Sequence, residues 1–214
     1  PDSLANTPLV LVDATDAQER FPSIEPDEFH IGYDATRRLI QAGCRRIAYL
    51  GCESDTVAQR GRRQGYQRAL EDAGFASNDR LTINIGYNAP ALQAVSELFD
   101  SQQPDGFFCF NDARAWYVYE CAARRGLTVG RDLSVIGVDN HRVIAETFAP
   151  QLTTVELPHF EMGYWSVCKL VSIIEHRSLD PLPLPHTTAP IPPLDATIPA
   201  TIHCTLIEKE SVIR

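Results

Sequence analysis

The chain has 214 residues, 44% of them apolar, which suffices for one large domain or two small ones with a real core. Its formal net charge of −9 argues against a surface built to neutralise phosphates, because nucleic-acid affinity rests on Lys and Arg displacing counterions. No run approaches the ~20 apolar residues of a membrane span, and Pro1-Asp2-Ser3-Leu4-Ala5-Asn6 has no basic stretch before an apolar one, so neither an anchor nor an export signal is expected.

Short β-branched runs alternate with segments of helical period. Leu9-Val10-Leu11-Val12-Asp13 reads as a strand, followed by a helix near 26–42 and a strand at Ile47-Ala48-Tyr49-Leu50-Gly51. The alternation continues with a helix near 60–73, a strand near 81–86 and a helix near 90–100, then a strand at 107–110, a helix near 112–125 and a strand at 133–138. Such β-α-β order predicts an α/β fold whose sheet is mostly parallel and flanked by helices. In the first helix, Phe29, Tyr33, Thr36 and Ile40 share one face, predicted to lie on the sheet. Gly43, Gly74 and Gly126 each follow a helix where a left-handed residue is needed to close it.

Past residue 150 the pattern changes. A strand at 152–157 leads to Pro158, well placed in the first turn of a helix running to about 176. Met162, Trp165, Val167, Cys168, Leu170, Val171, Ile173 and Ile174 leave that helix only a narrow polar stripe, so it is either sandwiched within the protein or part of a subunit interface. Residues 179–198, rich in proline and threonine, read as an extended loop before a last strand near 200–207. The six cysteines form no CxxC pair and read as reduced thiols, which points to the cytoplasm. The adjacent His203-Cys204 point to opposite faces of a strand, so no metal site is expected, and no motif calls for a cofactor.

In open parallel sheets, ligands bind in the crevice outside the carboxyl ends of the strands. Asp13 ends the first strand, Arg62 lies at the start of the helix after the second, Asn111-Asp112 follow the fourth, and Asp139-Asn140 end the fifth. A guanidinium, carboxylates and an amide suit a small polyol: a carboxylate accepts from vicinal hydroxyls, a guanidinium donates in a fork, and an amide does one of each. Each residue has a plainer alternative. Asp112 is as well suited to capping the next helix, Asp13 and Asp139 to Asx turns, and Arg62, beside Arg60 and Arg63, to a solvated basic face. Phe110 and Trp116 are candidates for stacking on a sugar ring or for the core. Catalysis fits poorly, because the chain has no Gly-x-Ser-x-Gly elbow, Walker loop or Gly-x-Gly-x-x-Gly turn, although Asp112 and Asp139 keep glycosidase-type acid/base work open.

Several runs together resemble the lactose-repressor (galactose-repressor) family of transcription regulators. Gly43-Cys44-Arg45-Arg46-Ile47-Ala48-Tyr49-Leu50-Gly51 is similar to the family's GHRRIA motif, with Cys44 in place of the usual His. Arg62-Arg63-Gln64-Gly65-Tyr66 with Ala69-Leu70, Pro104-Asp105-Gly106 through Asn111-Asp112-Ala113-Arg114-Ala115, and Asp132 through Asn140 followed by Ala149 to Val155 fit its later motifs in order and spacing. The resemblance implies a periplasmic-binding-protein-like fold in which two lobes close over an effector and set operator affinity. It also implies effector contacts at Arg62, Asn111 and Asp139, with Asp13 a further candidate. The expected effector is a small carbohydrate, with a purine as the less favoured class.

On that resemblance, residues 1–14 would hold the last strand of the amino-terminal lobe and 15–150 the effector-binding carboxy-terminal lobe. Residues 151–178 would return a strand and helix to the amino-terminal lobe, and 179–214 would supply a Pro-rich loop and the final strand of the carboxy-terminal lobe. The carboxy-terminal lobe would thus be complete and the amino-terminal lobe partial. Operator DNA would be reached only through an amino-terminal helix-turn-helix outside these residues, in a homodimer. The alternative is a periplasmic sugar-binding transport protein of the same fold. An expected lack of export signal, six unpaired thiols and the regulator-like Leu152-Thr153-Thr154-Val155 weigh against it.

Overall fold

The computed structural model describes residues 7–16, 18–76, 78–177, 184 and 186–213. In chain order its elements are β1 (Leu11–Val12), β2 (Ser23–Pro26), α1 (Glu28–Gln41), β3 (Ile47–Cys52), α2 (Val57–Asp72), β4 (Thr82–Ile85), α3 (Ala89–Gln102) and β5 (Gly106–Cys109). They continue with α4 (Asp112–Arg124), β6 (Ser134–Asp139), α5 (Arg142–Ala145), β7 (Thr153–Glu156), α6 (His159–Glu175), β8 (Ala200–Ile202) and β9 (Thr205–Ile207). Contacts divide the chain into a larger unit, Glu28–Glu156 with Leu206–Arg214, and a smaller one, Pro1–Asp27 with Leu157–Thr205.

The larger unit is built on a sheet of order β4-β3-β5-β6-β7-β9, in which β4, β3, β5, β6 and β7 pair in parallel. Every residue of β3 and β5 is buried, as expected where helices cover both faces of a parallel sheet. Alternation along the strands splits the core. Ala48, Leu50, Phe107, Cys109 and Val135 join one cluster with Val95, Leu98 and Phe99 of α3 and Val118 and Cys121 of α4. On the opposite face, Tyr49 stacks on Tyr66 of α2 and on Phe108, with ring centroids 5.5 and 5.3 Å apart.

In the smaller unit, β1, β2 and β8 form a parallel three-stranded sheet. Ile24, Ala200 and Ile202 from the sheet pack with Met162 and Trp165 of α6 and with Ala189. The indole N–H of Trp165 donates to the Pro193 carbonyl (3.2 Å), and one carboxylate oxygen of Glu161 accepts from the backbone N–H and the hydroxyl of Thr188. Phe160, Val167 and Ile174 leave a stripe at seven-residue spacing exposed on α6.

The structure corrects several expectations. The strand predicted at 152–157 pairs with β6 and stays in the larger unit instead of crossing to another lobe. The run read as one strand over 200–207 is two, β8 in the smaller sheet and β9 at the edge of the larger one, so the loop before it belongs with the smaller unit. β2 escapes the sequence reading because Pro22 and Pro26 bracket it, and prolines demote a run to an edge or a non-strand. The buried face of α1 is Glu28, Ile31, Gly32, Ala35, Thr36 and Leu39, one column away from the predicted face, and Phe29 is exposed. Gly43, Gly74 and Gly126 do take positive φ values of 92°, 75° and 68° and close their helices. Of the loop predicted at 179–198, residues 179–183 and 185 lie outside the described residues, and 186–198 form no helix or strand.

Candidate functional site

β3 is followed by a helix that leads outward to β4, whereas β5 is followed by one that leads the other way to β6. Right-handed crossovers therefore put α2 and α4 on opposite faces, which makes the carboxyl ends of β3 and β5 the switch point of the sheet, where a ligand crevice is expected. Arg62, Tyr87, Phe110, Asn111 and Arg114 are gathered at these strand ends, and Asp139 stands at the end of β6.

Arg62 is delivered by unusually close helix packing. Thr56 caps α2, its hydroxyl oxygen accepting from the Gln59 N–H (3.1 Å). A Cβ on Gly65 would lie 2.0 Å from the Phe29 carbonyl oxygen, and one on Gly32 would lie 2.0 Å from the Arg62 carbonyl oxygen, so the backbones of α1 and α2 touch. At that crossing the Arg62 guanidinium donates from Nε and NH2 to the Glu28 carboxylate (2.6 and 3.2 Å) and from NH1 to the Phe110 carbonyl (2.6 Å). It also lies 4.5 Å from the Phe110 ring centroid. Arg62 is only 3% exposed, which overturns the solvated basic face as its setting. Arg60 does point to solvent, paired with Asp55. Glu28 was not singled out from sequence; an acid in the first turn of a helix reads as a dipole partner, and nothing local marks a pairing across 34 residues.

Asn111, not Asp112, caps α4: its Oδ1 accepts from the Arg114 N–H (3.2 Å) and from Arg114 NH1 (3.1 Å). That fixes the amide, whose Nδ2 donates to the Tyr87 hydroxyl (2.7 Å). Arg114, also missed from sequence, is 5% exposed and ties three strand ends together, donating to the carbonyls of Gly51 and Ile85 and to the Tyr87 hydroxyl (2.7 Å). The Tyr87 oxygen thus accepts twice, which uses both lone pairs and leaves its O–H to donate outward. Tyr87 is 61% exposed. Phe110 lies beside both cations, 5.2 Å from Arg114, and is neither a core ring nor an open platform.

Asp112 is fully buried. Its carboxylate accepts from the Thr154 hydroxyl (2.6 Å) and the His141 N–H (2.8 Å), and burial pushes its pKa up to about 6. The neighbouring turn is strained: Asp139 and Asn140 both take positive φ, 110° and 46°. The Asn140 amide bridges the Lys209 ammonium (2.7 Å) and Glu156 (3.2 Å).

The structure therefore brings Arg62, Phe110 and Asn111 together, with Asp139 on the adjoining strand end. Trp116 is not brought in: it is 46% exposed on α4, off that helix's buried face, and packs edge-on against Tyr117. Asp13 belongs to the smaller unit, following β1 with φ of 53°. At the strand ends Tyr87 offers one outward donor, and Asp139 closes β6. Arg62 adds two N–H groups beyond the three already bonded. The nearby Cys109 thiol is no nucleophile, because full burial raises its pKa far above neutrality.

Residues 36–192 match the periplasmic binding protein-like domain family. The chain is 35% identical over 138 residues to the HTH-type transcriptional regulator DegA of Bacillus subtilis, covering 64% of this chain and 41% of that protein. It is 28% identical over 191 residues to the sucrose operon repressor of Escherichia coli, covering 86% and 58%. The chain thus spans about half the length of these relatives. Among solved structures it is similar to the Escherichia coli transcriptional repressor ascG, with a TM-score of 0.78 and 25% identity over 98% of this chain and 70% of that one.

Proposed function

The chain belongs to the periplasmic binding protein-like domain family, and we propose that it is the effector-sensing part of a cytoplasmic transcription regulator of the lactose-repressor type. The effector is a small carbohydrate held at the carboxyl ends of β3 to β6, and its binding alters operator affinity through a DNA-binding segment supplied by the whole protein as a homodimer.

The observation that carries this reading is the donor and acceptor set at the strand ends. Tyr87 can only donate, Arg62 is locked by Glu28 with two N–H groups to spare, and the Asp139 carboxylate ends the neighbouring strand β6. A polyol with vicinal hydroxyls, each both donor and acceptor, answers both kinds of group. Regulation is favoured over transport because the matched relatives are regulators and repressors by name.

Isothermal titration of the chain with sucrose, ribose, cellobiose and hypoxanthine tests the reading. It expects one saturable isotherm, from a sugar. Binding of hypoxanthine alone would move the effector to the purine class.

A further inference from the structure

Asp139 and Asn140 are successive non-glycine residues in the left-handed region, a conformation that persists only where its surroundings hold it. The holding groups can be read from the hydrogen bonds. The Asn140 N–H donates to the Thr154 hydroxyl oxygen (3.3 Å), the Thr154 O–H donates in turn to one Asp112 oxygen (2.6 Å), and the His141 N–H donates directly to the other (2.8 Å). Asp112 is thus the end point of both backbone N–H groups that follow Asp139. β6 makes room for it with a glycine: a Cβ at Gly137 would lie 2.3 Å from Asp112 Oδ1.

Resting on the effector reading above, we propose that Asp112 is a positioning residue which, in its ionised form, holds the 139–141 turn so that Asp139 is presented at the strand end, making effector affinity dependent on pH. The carboxylate needs both oxygens as acceptors. His141 contributes a backbone N–H that can only donate, and Thr154 spends its single hydroxyl hydrogen on Asp112 while its oxygen accepts from Asn140. Protonation turns one Asp112 oxygen into a donor and a poor acceptor, so one of the two bonds must be lost or reversed.

The ionisable groups that face Asp112 come from four directions. Asp139 at the end of β6 opposes its ionisation, and Lys209 beyond β9 favours it. Cys109 on β5 and Tyr119 on α4 stay neutral, because burial raises both. Burial, the largest influence, outweighs the two hydrogen bonds and these charges and puts the carboxyl at about 6, within reach of ordinary buffers.

Nitrogen-15 NMR spectra of the full chain between pH 5 and 8 test this, with Asp112→Asn and Thr154→Val beside the wild type. In the wild type the His141, Asp139 and Asn140 amide signals should move together with a midpoint near 6. Asp112→Asn should abolish that midpoint and displace all three signals at pH 7.5. Thr154→Val, which removes a bond to the ionised form, should shift the midpoint upward. Absence of any midpoint in the wild type, or unmoved amides in both variants, would overturn the proposal. Titrating the same samples with sucrose, ribose and cellobiose separates the two readings. At least tenfold weaker binding by Asp112→Asn at pH 7.5, with wild-type affinity falling toward pH 5, supports both. A turn that titrates as expected in a protein that binds none of these sugars leaves the hold on the turn standing and defeats the sugar assignment alone.

Discussion

Replacing Gly65 by Ala tests how Arg62 is held. In a helix interior this change ordinarily stabilises by about 0.5–1 kcal/mol, because glycine loses more backbone freedom on folding. Here the new Cβ would meet the Phe29 carbonyl oxygen at 2.0 Å and the Tyr33 nitrogen at 2.6 Å, both of them backbone atoms that cannot rotate aside. Relief to 3.0 Å, below which real Cβ contacts are essentially unknown, requires α1 and α2 to part by about 1 Å. Overpacking of this kind costs roughly 1–3 kcal/mol, which outweighs the propensity gain and predicts a net loss of about 1–2 kcal/mol. In a chain of this size that lowers Tm by about 2–8 °C. The same parting would stretch the 2.6 Å bond from Arg62 to Glu28 past hydrogen-bonding range, so effector affinity should fall with stability. Gly163→Ala in α6 is the internal control, since its Cβ would meet nothing within 4 Å and the substitution should stabilise. Circular-dichroism melts of both variants decide the matter. A Gly65→Ala protein as stable as the wild type would refute the close-packing argument.

Three other outcomes are expected. Arg62→Met leaves Glu28 as a buried carboxylate without its guanidinium and should cost about 3–5 kcal/mol in urea melts, with much of that loss recovered in the double variant with Glu28→Gln. Because the folded-state pKa of Asp112 is raised from 3.8 to about 6, the folded protein binds this proton more tightly than the unfolded chain does. Its contribution therefore falls as pH rises from about 4 to about 6, by up to roughly 3 kcal/mol, and Asp112→Asn should flatten that part of the stability-versus-pH curve. Tyr87→Phe removes the acceptor shared by Asn111 and Arg114 at an exposed position. It should leave the fold intact and weaken sugar binding about tenfold by titration calorimetry, a loss of one outward donor.

Much of the larger unit was legible because its central strands are buried on both faces and so read as unbroken apolar runs, as in Phe107-Phe108-Cys109. What escaped had physical causes. β2 is bracketed by prolines, and β8 and β9 form one continuous apolar pattern because the chain changes sheets at His203-Cys204 without a turn residue to mark it. At the site, the strand-end rule points to Asp13, Arg62, Asn111, Asp112, Asp139 and Asn140 by position, and the family resemblance narrows these to Arg62, Asn111 and Asp139, with Asp13 a further candidate. Asp112 is the cap that the sequence suggests, yet Asn111 takes the role; the two are adjacent and chemically alike, and only the bond to the Arg114 N–H distinguishes them. Glu28, Arg114 and Tyr87 stayed hidden because their partners lie far away in sequence. Asn88-Ala89-Pro90, a cap followed by a proline at a helix start, was the available hint that Tyr87 sits at a strand end facing the crevice.

The central claim is that a small effector sits at the carboxyl ends of the larger sheet. Its most direct test is backbone amide mapping of the chain titrated with whichever sugar gives a saturable isotherm. The account predicts that shifts concentrate at Cys52, Tyr87, Asn111 and Asp139. Shifts concentrated instead at the amino-terminal ends of the same strands, around Arg46, Asp105 and Asp132, would contradict it.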